Sequence, residues 1–191
     1  MADGESTRWN NYLGIPKHLI EIDGEPIIKR AIRLLNENDD GCKVIITSHN
    51  TEYEFPGSVR YEPISNVLEI DRFTKELVSD DICFLYGDTY YSEEAIQTII
   101  HAVVEDVLFI GNKESIVAVK IRDGALFSKH VDNVRNLFLD GIIEKCAGWQ
   151  VYQSLLALPF TEKVISSKFV LIKDETMDFN EPEDYMMRMV R

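Results

Sequence analysis

The chain is poor in cysteine. Its three cysteines, Cys42, Cys83 and Cys146, are far apart and contain no C-x-x-C pair. That spacing offers neither a disulfide framework nor a zinc site. Cys42 and Cys83 stand at or in apolar runs and read as core thiols. The four histidines show no H-x-H or H-x-x-x-H spacing, which leaves no zinc site and no histidine-based nucleophile system. Positive charge is scarce as well: 20 Lys and Arg face 33 Asp and Glu, a formal net charge of −13. A protein that coats nucleic acid shows a basic face, so a nucleic-acid partner is not expected. A nucleotide remains possible, because a few local cations and a divalent ion can offset a triphosphate. Neither a signal peptide nor a long apolar span is present, and a cytoplasmic location without a membrane partner is the expectation. Repeats, low-complexity segments and linkers are also lacking. With 45% hydrophobic residues, residues 1–191 read as a single domain with a sizeable core.

What is present alternates between two periodicities. Residues 26–35 carry apolar side chains at helical spacing, with Pro26 at a favourable first-turn position. Residues 43–47 read as a buried strand ending in the polar loop Ser48-His49-Asn50, and 58–61 as a short edge strand. Val67, Leu68, Ile70, Phe73, Leu77 and Val78 follow a helical stripe. Residues 81–86 form the clearest strand and run straight into Gly87-Asp88-Thr89. Ser92 is placed to cap a helix through Ile96, Ile99 and Ile100, with Glu93 and Glu94 in its first turn. Strands follow at 107–110 and 115–121, then amphipathic helices at 126–139 and 148–158. A strand at 169–172 and a final helix led by Asn180-Glu181-Pro182-Glu183 complete the chain. Strands alternating with helices predict an α/β fold with a mostly parallel sheet in three layers. Ligands in such folds sit at the carboxyl ends of strands, where residues 47–50, Gly87-Asp88-Thr89 and the loop before Asp178 fall.

One stretch organises the rest: Gly4-Glu5-Ser6-Thr7-Arg8-Trp9, then Pro16-Lys17-His18-Leu19, then Gly24-Glu25-Pro26-Ile27-Ile28. A small-residue turn offers backbone N–H groups to an anion, Arg8 adds a guanidinium and Lys17 a compact point charge. The order G-x-S-T-R, P-K-x-L, G-x-P-I-I resembles the signature of the MobA-like, sugar-phosphate nucleotidyltransferase family, L-A-G-G-x-G-T-R, P-K-x-L, G-x-P-L-I. Asp178-Phe179-Asn180-Glu181-Pro182-Glu183-Asp184-Tyr185 resembles the closing D-x-N-x-P-E-D-Y of the same family. The resemblance implies a nucleotide-diphospho-sugar transferase (GT-A-like, Rossmann-like) fold. Two departures stand out. Ser6 occupies a position where Gly is commoner. In the family a buried strand precedes the Gly-rich turn, whereas here only Met1-Ala2-Asp3 does. A central parallel strand is hard to lose, so a start upstream of Met1 is expected.

The resemblance further implies an NTP-dependent enzyme. It would transfer a nucleoside monophosphate to a small phosphorylated acceptor, most simply a sugar phosphate giving a sugar nucleotide, with release of pyrophosphate. Gly4, Glu5, Ser6, Thr7 and Arg8 would hold the β- and γ-phosphates, Lys17 would stabilise charge on the α-phosphate, and Ser48 would lie near the base. Lys17 and Arg8 are the catalytic candidates. Asp88 and Asp178 would hold Mg²⁺, which suits hard oxygen ligands. Read from the residues alone, Asp88 could equally cap a turn. Asn180 with Glu183 has the look of a capping box, and Glu183 and Asp184 read as helix-start residues. Trp149 and Tyr152 could line an acceptor pocket or pack as one helix face. His18 is assigned no chemistry. Two other readings remain: a non-catalytic relative that binds a nucleotide or sugar nucleotide, and a GT-A-type glycosyltransferase, against which counts the lack of an Asp-x-Asp pair. Neither the base, the acceptor nor the oligomeric state is legible.

Overall fold

The structure, a computed structural model, describes residues 1–2 and 8–190. In chain order the strands and helices are β1 (Glu21–Ile22), β2 (Glu25–Pro26), α1 (Ile27–Asn38), β3 (Ile45–Thr47), β4 (Val59–Tyr61), β5 (Ile82–Leu85), β6 (Thr89–Tyr90) and α2 (Glu93–His101). They continue with β7 (Val107–Gly111), β8 (Ile116–Ile121), α3 (Gly124–Leu139), α4 (Gly148–Leu155), β9 (Phe169–Leu171), β10 (Met177–Asp178) and α5 (Pro182–Met189). The chain is mixed α/β with parallel sheet elements. It divides into two compact units, Met1–Glu62 with Tyr86–Ala102 and Ile172–Arg191, and Pro63–Leu85 with Val103–Leu171.

In the first unit β3 and β4 pair in parallel, and β6 pairs antiparallel with β10, Thr89 opposite Asp178 and Tyr90 opposite Met177. β1 and β2 form a hairpin whose turn residues, Asp23 and Gly24, both have positive φ, as a tight two-residue turn requires. The apolar stripe of α1 places Ile27 in a cluster with Trp9, Ile20, Ile22, Tyr90 and Phe179, and Ile28 and Ile32 in another with Ala2, Ile46 and Tyr53. Ser92 caps α2 as its sequence position predicts: its Oγ accepts the Ala95 N–H at 2.9 Å. The same Oγ lies 2.8 Å from Asp174 Oδ2, and the Ser92 N–H donates to Thr176 Oγ1 at 3.1 Å. The start of α2 is thereby tied to the segment leading into β10.

Met1 and Ala2 bridge two strand-end segments of this unit. The Ala2 N–H donates to the Thr47 carbonyl at 3.0 Å, and the Met1 carbonyl accepts the Gly87 N–H at 2.8 Å. Gly87 is held so close that a Cβ there would stand 2.6 Å from the Met1 oxygen. Only a residue without a side chain fits.

The second unit holds a four-stranded sheet in the order β5-β8-β7-β9. β8 runs antiparallel to both β5 and β7, and β9 runs parallel to β7, so β5, β7 and β9 share one direction and β8 alone is reversed. The reversal follows from the short turn between β7 and β8, in which Asn112 Oδ1 accepts the N–H groups of Glu114 and Ser115 at 2.8 Å. A connection that short can only make a hairpin. The helical stripe at 67–78 forms two single 3₁₀ turns, Glu69–Arg72 and Lys75–Leu77, instead of a continuous helix. Asp71 accounts for this: its Oδ2 accepts the N–H groups of Val67 and Leu68, each at 2.9 Å, and the Ser65 hydroxyl at 3.0 Å. A side chain that captures backbone donors in this way competes with the helix. Trp149 stacks on Phe169, and the fully buried Tyr152 packs against Phe109 and Phe169 while its hydroxyl bonds Ser167 O and the Ser166 N–H. Cys42 and Cys83 are only half-buried, contrary to the core-thiol expectation, and Cys146 is the buried one.

Two outcomes follow for stability. Gly87→Ala is expected to cost about 1–3 kcal/mol in urea unfolding, because the added methyl overpacks against backbone. The second concerns Asp71, whose side chain is 2% exposed and pairs with Arg135. Burial pushes its carboxyl up, but the hydrogen bonds from Leu68, Arg135, Val67 and Ser65 outweigh that and hold it below the ordinary carboxylate range. A depressed folded pKa means that the stabilisation is complete above the unfolded value of about 3.9 and is lost as pH falls through the folded value. The stability difference between wild type and Asp71→Asn should therefore be constant from neutral pH to about pH 5 and shrink below about pH 4.

Candidate functional site

The site is built from residues of the first unit, beginning with Trp9. Its indole is 1% exposed, meets Tyr12 and Tyr185 edge-on, and donates Nε1–H to the Ile15 carbonyl at 3.1 Å. The chain between Trp9 and Pro16 turns through Asn10, Asn11, Leu13 and Gly14, all at φ between +48 and +69. Two asparagines and a glycine tolerate that handedness, whereas Leu13 is strained by it. This arch delivers Pro16 and the 3₁₀ turn Lys17–Leu19, which Ile20 and Ile22 anchor in the same core.

Lys17 and His18 both point into the protein. His18 Nδ1 lies 3.0 Å from Tyr53 Oη. Lys17 Nζ donates to Asp88 Oδ2, and the two residues are only 5% and 8% exposed. A buried ion pair is a costly arrangement, since both charges lose hydration. Two sequence-distant candidates are thus in direct contact.

Asp88 and Asp178 come from adjacent chain segments. Asp178 stands opposite Thr89 in the β6–β10 pair, and the Asp88 carbonyl accepts the Phe179 N–H at 2.8 Å. The pair is braced by Tyr90, the residue after Thr89. The guanidinium groups of Arg30 from α1 and Arg188 from α5 lie over its ring at 4.7 and 4.3 Å. Burial raises the Tyr90 phenol above its ordinary value, so it stays neutral and serves as a cation-binding face. Arg188 in turn contacts Glu175 at 3.1 Å.

Asn180 does not cap the last helix as expected. Pro182 opens α5, and Asp184 Oδ2 accepts the N–H groups of Asn180 and Glu181 at 2.8 and 2.9 Å. Asp184 is therefore the helix-start residue, as the sequence suggested, and the Asn180 side chain is released for another use. Its amide donates to Asp178 Oδ2 while its oxygen accepts from Arg8 Nη2 at 3.2 Å. Arg8 is otherwise well exposed and lies 3.5 Å from Glu181 Oε1. The role of Asn180 as a bridge was missed in the sequence, where its position before a helix suggested a cap. The D-x-N spacing was the available signal.

Ser48 follows β3 and is almost fully buried. Its N–H donates to the Tyr61 carbonyl at 3.0 Å, its Oγ accepts the Asn50 N–H at 3.1 Å, and its carbonyl accepts from Arg60 at 3.0 Å. These bonds shape the loop after β3. The expected phosphate-binding residues Gly4, Glu5, Ser6 and Thr7 lie outside the described residues.

Among the described residues no cluster of three or more His, Cys, Asp or Glu forms a metal cage. The donor set nonetheless fits Mg²⁺, which takes one or two carboxylates together with substrate phosphates and water. The hydroxyls of Thr47 and Thr89 are buried with no hydrogen-bond partner among the described residues, and Thr89, next to Asp88 in the chain, is the residue opposite Asp178. Orphaned buried donors are uncommon and mark places where polar groups are wanted.

The structure is similar to that of CTP:phosphocholine cytidylyltransferase from Streptococcus pneumoniae, with a TM-score of 0.58 over 99% of this chain and 96% of that one, at 13% sequence identity. This chain shares the fold of that enzyme. No protein-family model matches the sequence, and no curated protein matches it significantly. Among the described residues no helix is long and apolar enough to cross a membrane.

The Lys17–Asp88 pair makes a stability prediction of its own. Lys17→Met and Asp88→Asn should each destabilise by about 3–5 kcal/mol, because each removes one half of a buried ion pair. The double variant should cost less than the sum of the two. Urea unfolding of the four proteins gives the coupling, and additive costs would show that the pair is not energetically joined.

Proposed function

We propose that the protein is a Mg²⁺-dependent nucleotidyltransferase that moves a nucleoside monophosphate from an NTP to a small phosphorylated acceptor. The observation that carries this reading is the buried Lys17–Asp88 contact beside the β6–β10 rung bearing Asp178. A lysine and two carboxylates so placed suit a polyphosphate and a divalent cation. The fold of the cytidylyltransferase neighbour supports it. So do the P-K and D-x-N patterns of the sequence.

In the reaction an acceptor oxygen attacks the α-phosphorus in line. A new P–O bond forms as the bond to the bridging oxygen breaks, and pyrophosphate departs with the electron pair. No protein nucleophile is required; positioning and charge neutralisation supply the rate. Lys17 sets its ammonium against the charge that grows on the α-phosphate. Arg8, exposed and reached from Asn180, is available to the β- and γ-phosphates together with residues 4–7. Asp88 and Asp178 hold the cation. When bound, Mg²⁺ neutralises the phosphate oxygens and makes the phosphorus more electrophilic. Ser48 shapes the loop that we assign to the base. A sugar phosphate is the acceptor we favour, in the cytoplasm. Phosphocholine, named for the neighbour, belongs in the same trial.

Calorimetry with ATP, GTP, CTP and UTP, each with and without Mg²⁺, tests the reading. One nucleotide should bind in a metal-dependent way, and Lys17→Ala and Asp88→Ala should weaken it. With an acceptor in hand, each substitution should lower turnover by about 10²–10³, the usual effect of removing a transition-state charge stabiliser. Turnover within a few-fold of wild type in both variants would reject the assigned roles.

A further inference from the structure

We propose that Lys17 and the divalent cation are alternative partners of the Asp88 carboxylate, so that the cation gains the site with the nucleotide and not ahead of it. This inference rests on the transferase reading and assigns an order of binding to it.

The Lys17 ammonium is on Asp88 Oδ2 at a depth where both residues are more than nine-tenths buried. A second positive charge brought to the same carboxylate would meet the ammonium at close range in a medium of low dielectric, where like charges repel strongly. Cation binding at Asp88 therefore requires Lys17 to leave. Lys17 is equipped to do so. Its backbone is fixed in a short 3₁₀ turn, but its charge sits at the end of a flexible four-carbon stem. A phosphate is the partner that draws it off, because an ammonium–phosphate contact is a charge-assisted hydrogen bond at least as strong as the one it replaces. Asp88 then loses the charge that Lys17 set against it, and a cation arriving with the phosphates takes the place of that charge.

Nucleotide and metal thus favour one another, and linkage makes the effect reciprocal. The lysine that serves the α-phosphate in turnover also keeps free divalent cations off Asp88 beforehand. A separate consequence falls on Lys17→Arg: the guanidinium keeps the ion pair and the exclusion, whereas neutral side chains lose both.

Mn²⁺ binding to the nucleotide-free protein, read from the electron paramagnetic resonance of free Mn²⁺, tests the exchange without measuring activity. Lys17→Met and Lys17→Gln, each shown to be folded by circular dichroism, should bind Mn²⁺ at least roughly tenfold more tightly than wild type. Lys17→Arg should match wild type, and adding Asp88→Asn to Lys17→Met should abolish the gain. Unchanged Mn²⁺ affinity in the folded neutral variants would overturn the proposal. Tight Mn²⁺ binding by wild type alone that Asp88→Asn removes would also overturn it, and that measurement needs no Lys17 variant. Either result leaves the transferase reading intact. Failure of all four NTPs to bind in calorimetry, with and without metal, would instead overturn that reading and this inference with it.

Discussion

The salt bridge between Lys17 and Asp88 is the constraint from which the rest of the site takes its shape. Two charges removed from water are tolerable only if they meet, and they meet only if the 3₁₀ turn carrying Lys17 and the strand end carrying Asp88 are both held in place. The surrounding structure supplies that restraint twice over. Trp9, Ile20 and Ile22 hold the lysine side through the apolar core. On the carboxylate side, the Gly87 N–H is taken by Met1 and the Asp88 carbonyl by the Phe179 N–H, so backbone is fixed on both flanks of Asp88. Burial of charge, which weakens most folds, here fixes geometry.

The carboxylate side is further tied to the end of the chain. Tyr90 bears two guanidinium groups on its ring, one from α1 and one from α5, and Arg188 is itself held by Glu175. Asp184 turns the start of α5 and thereby frees Asn180 to join Asp178 with Arg8. A linear motif of eight residues, 178–185, accordingly divides its work: Asp178 and Asn180 serve the site, and Pro182 and Asp184 start the helix. An apolar face on the same helix does less, as Met186, Met187 and Met189 are exposed.

Much of this was readable from residue order alone. The elements with strong periodicity, such as the strands around 82–85 and 116–121 and the capped helix after Ser92, appear where apolar pattern and capping chemistry put them. The pairing of Lys17 with Asp88 was implied only as shared duty toward a phosphate; direct contact between them depends on tertiary placement that no local signal encodes. Residues 67–78 misled because apolar spacing says nothing of a side chain such as Asp71 that captures the donors a helix needs. Asn180 misled for the opposite reason. Its residue type satisfies two chemistries, and a competing carboxylate four positions on took the capping task. The reversed β8 was open to inference from the short Asn112–Ser115 link, but alternation of strands and helices obscured it.

The arch of left-handed residues between Trp9 and Pro16 has a consequence for anyone mapping this protein by saturation mutagenesis. Asn10, Asn11 and Gly14 accept a backbone handedness that most side chains resist. Intolerance at these positions would look like a binding epitope on a surface loop. Its origin would be stereochemical: the sign of a dihedral angle, and not affinity for any ligand, selects which amino acids survive there.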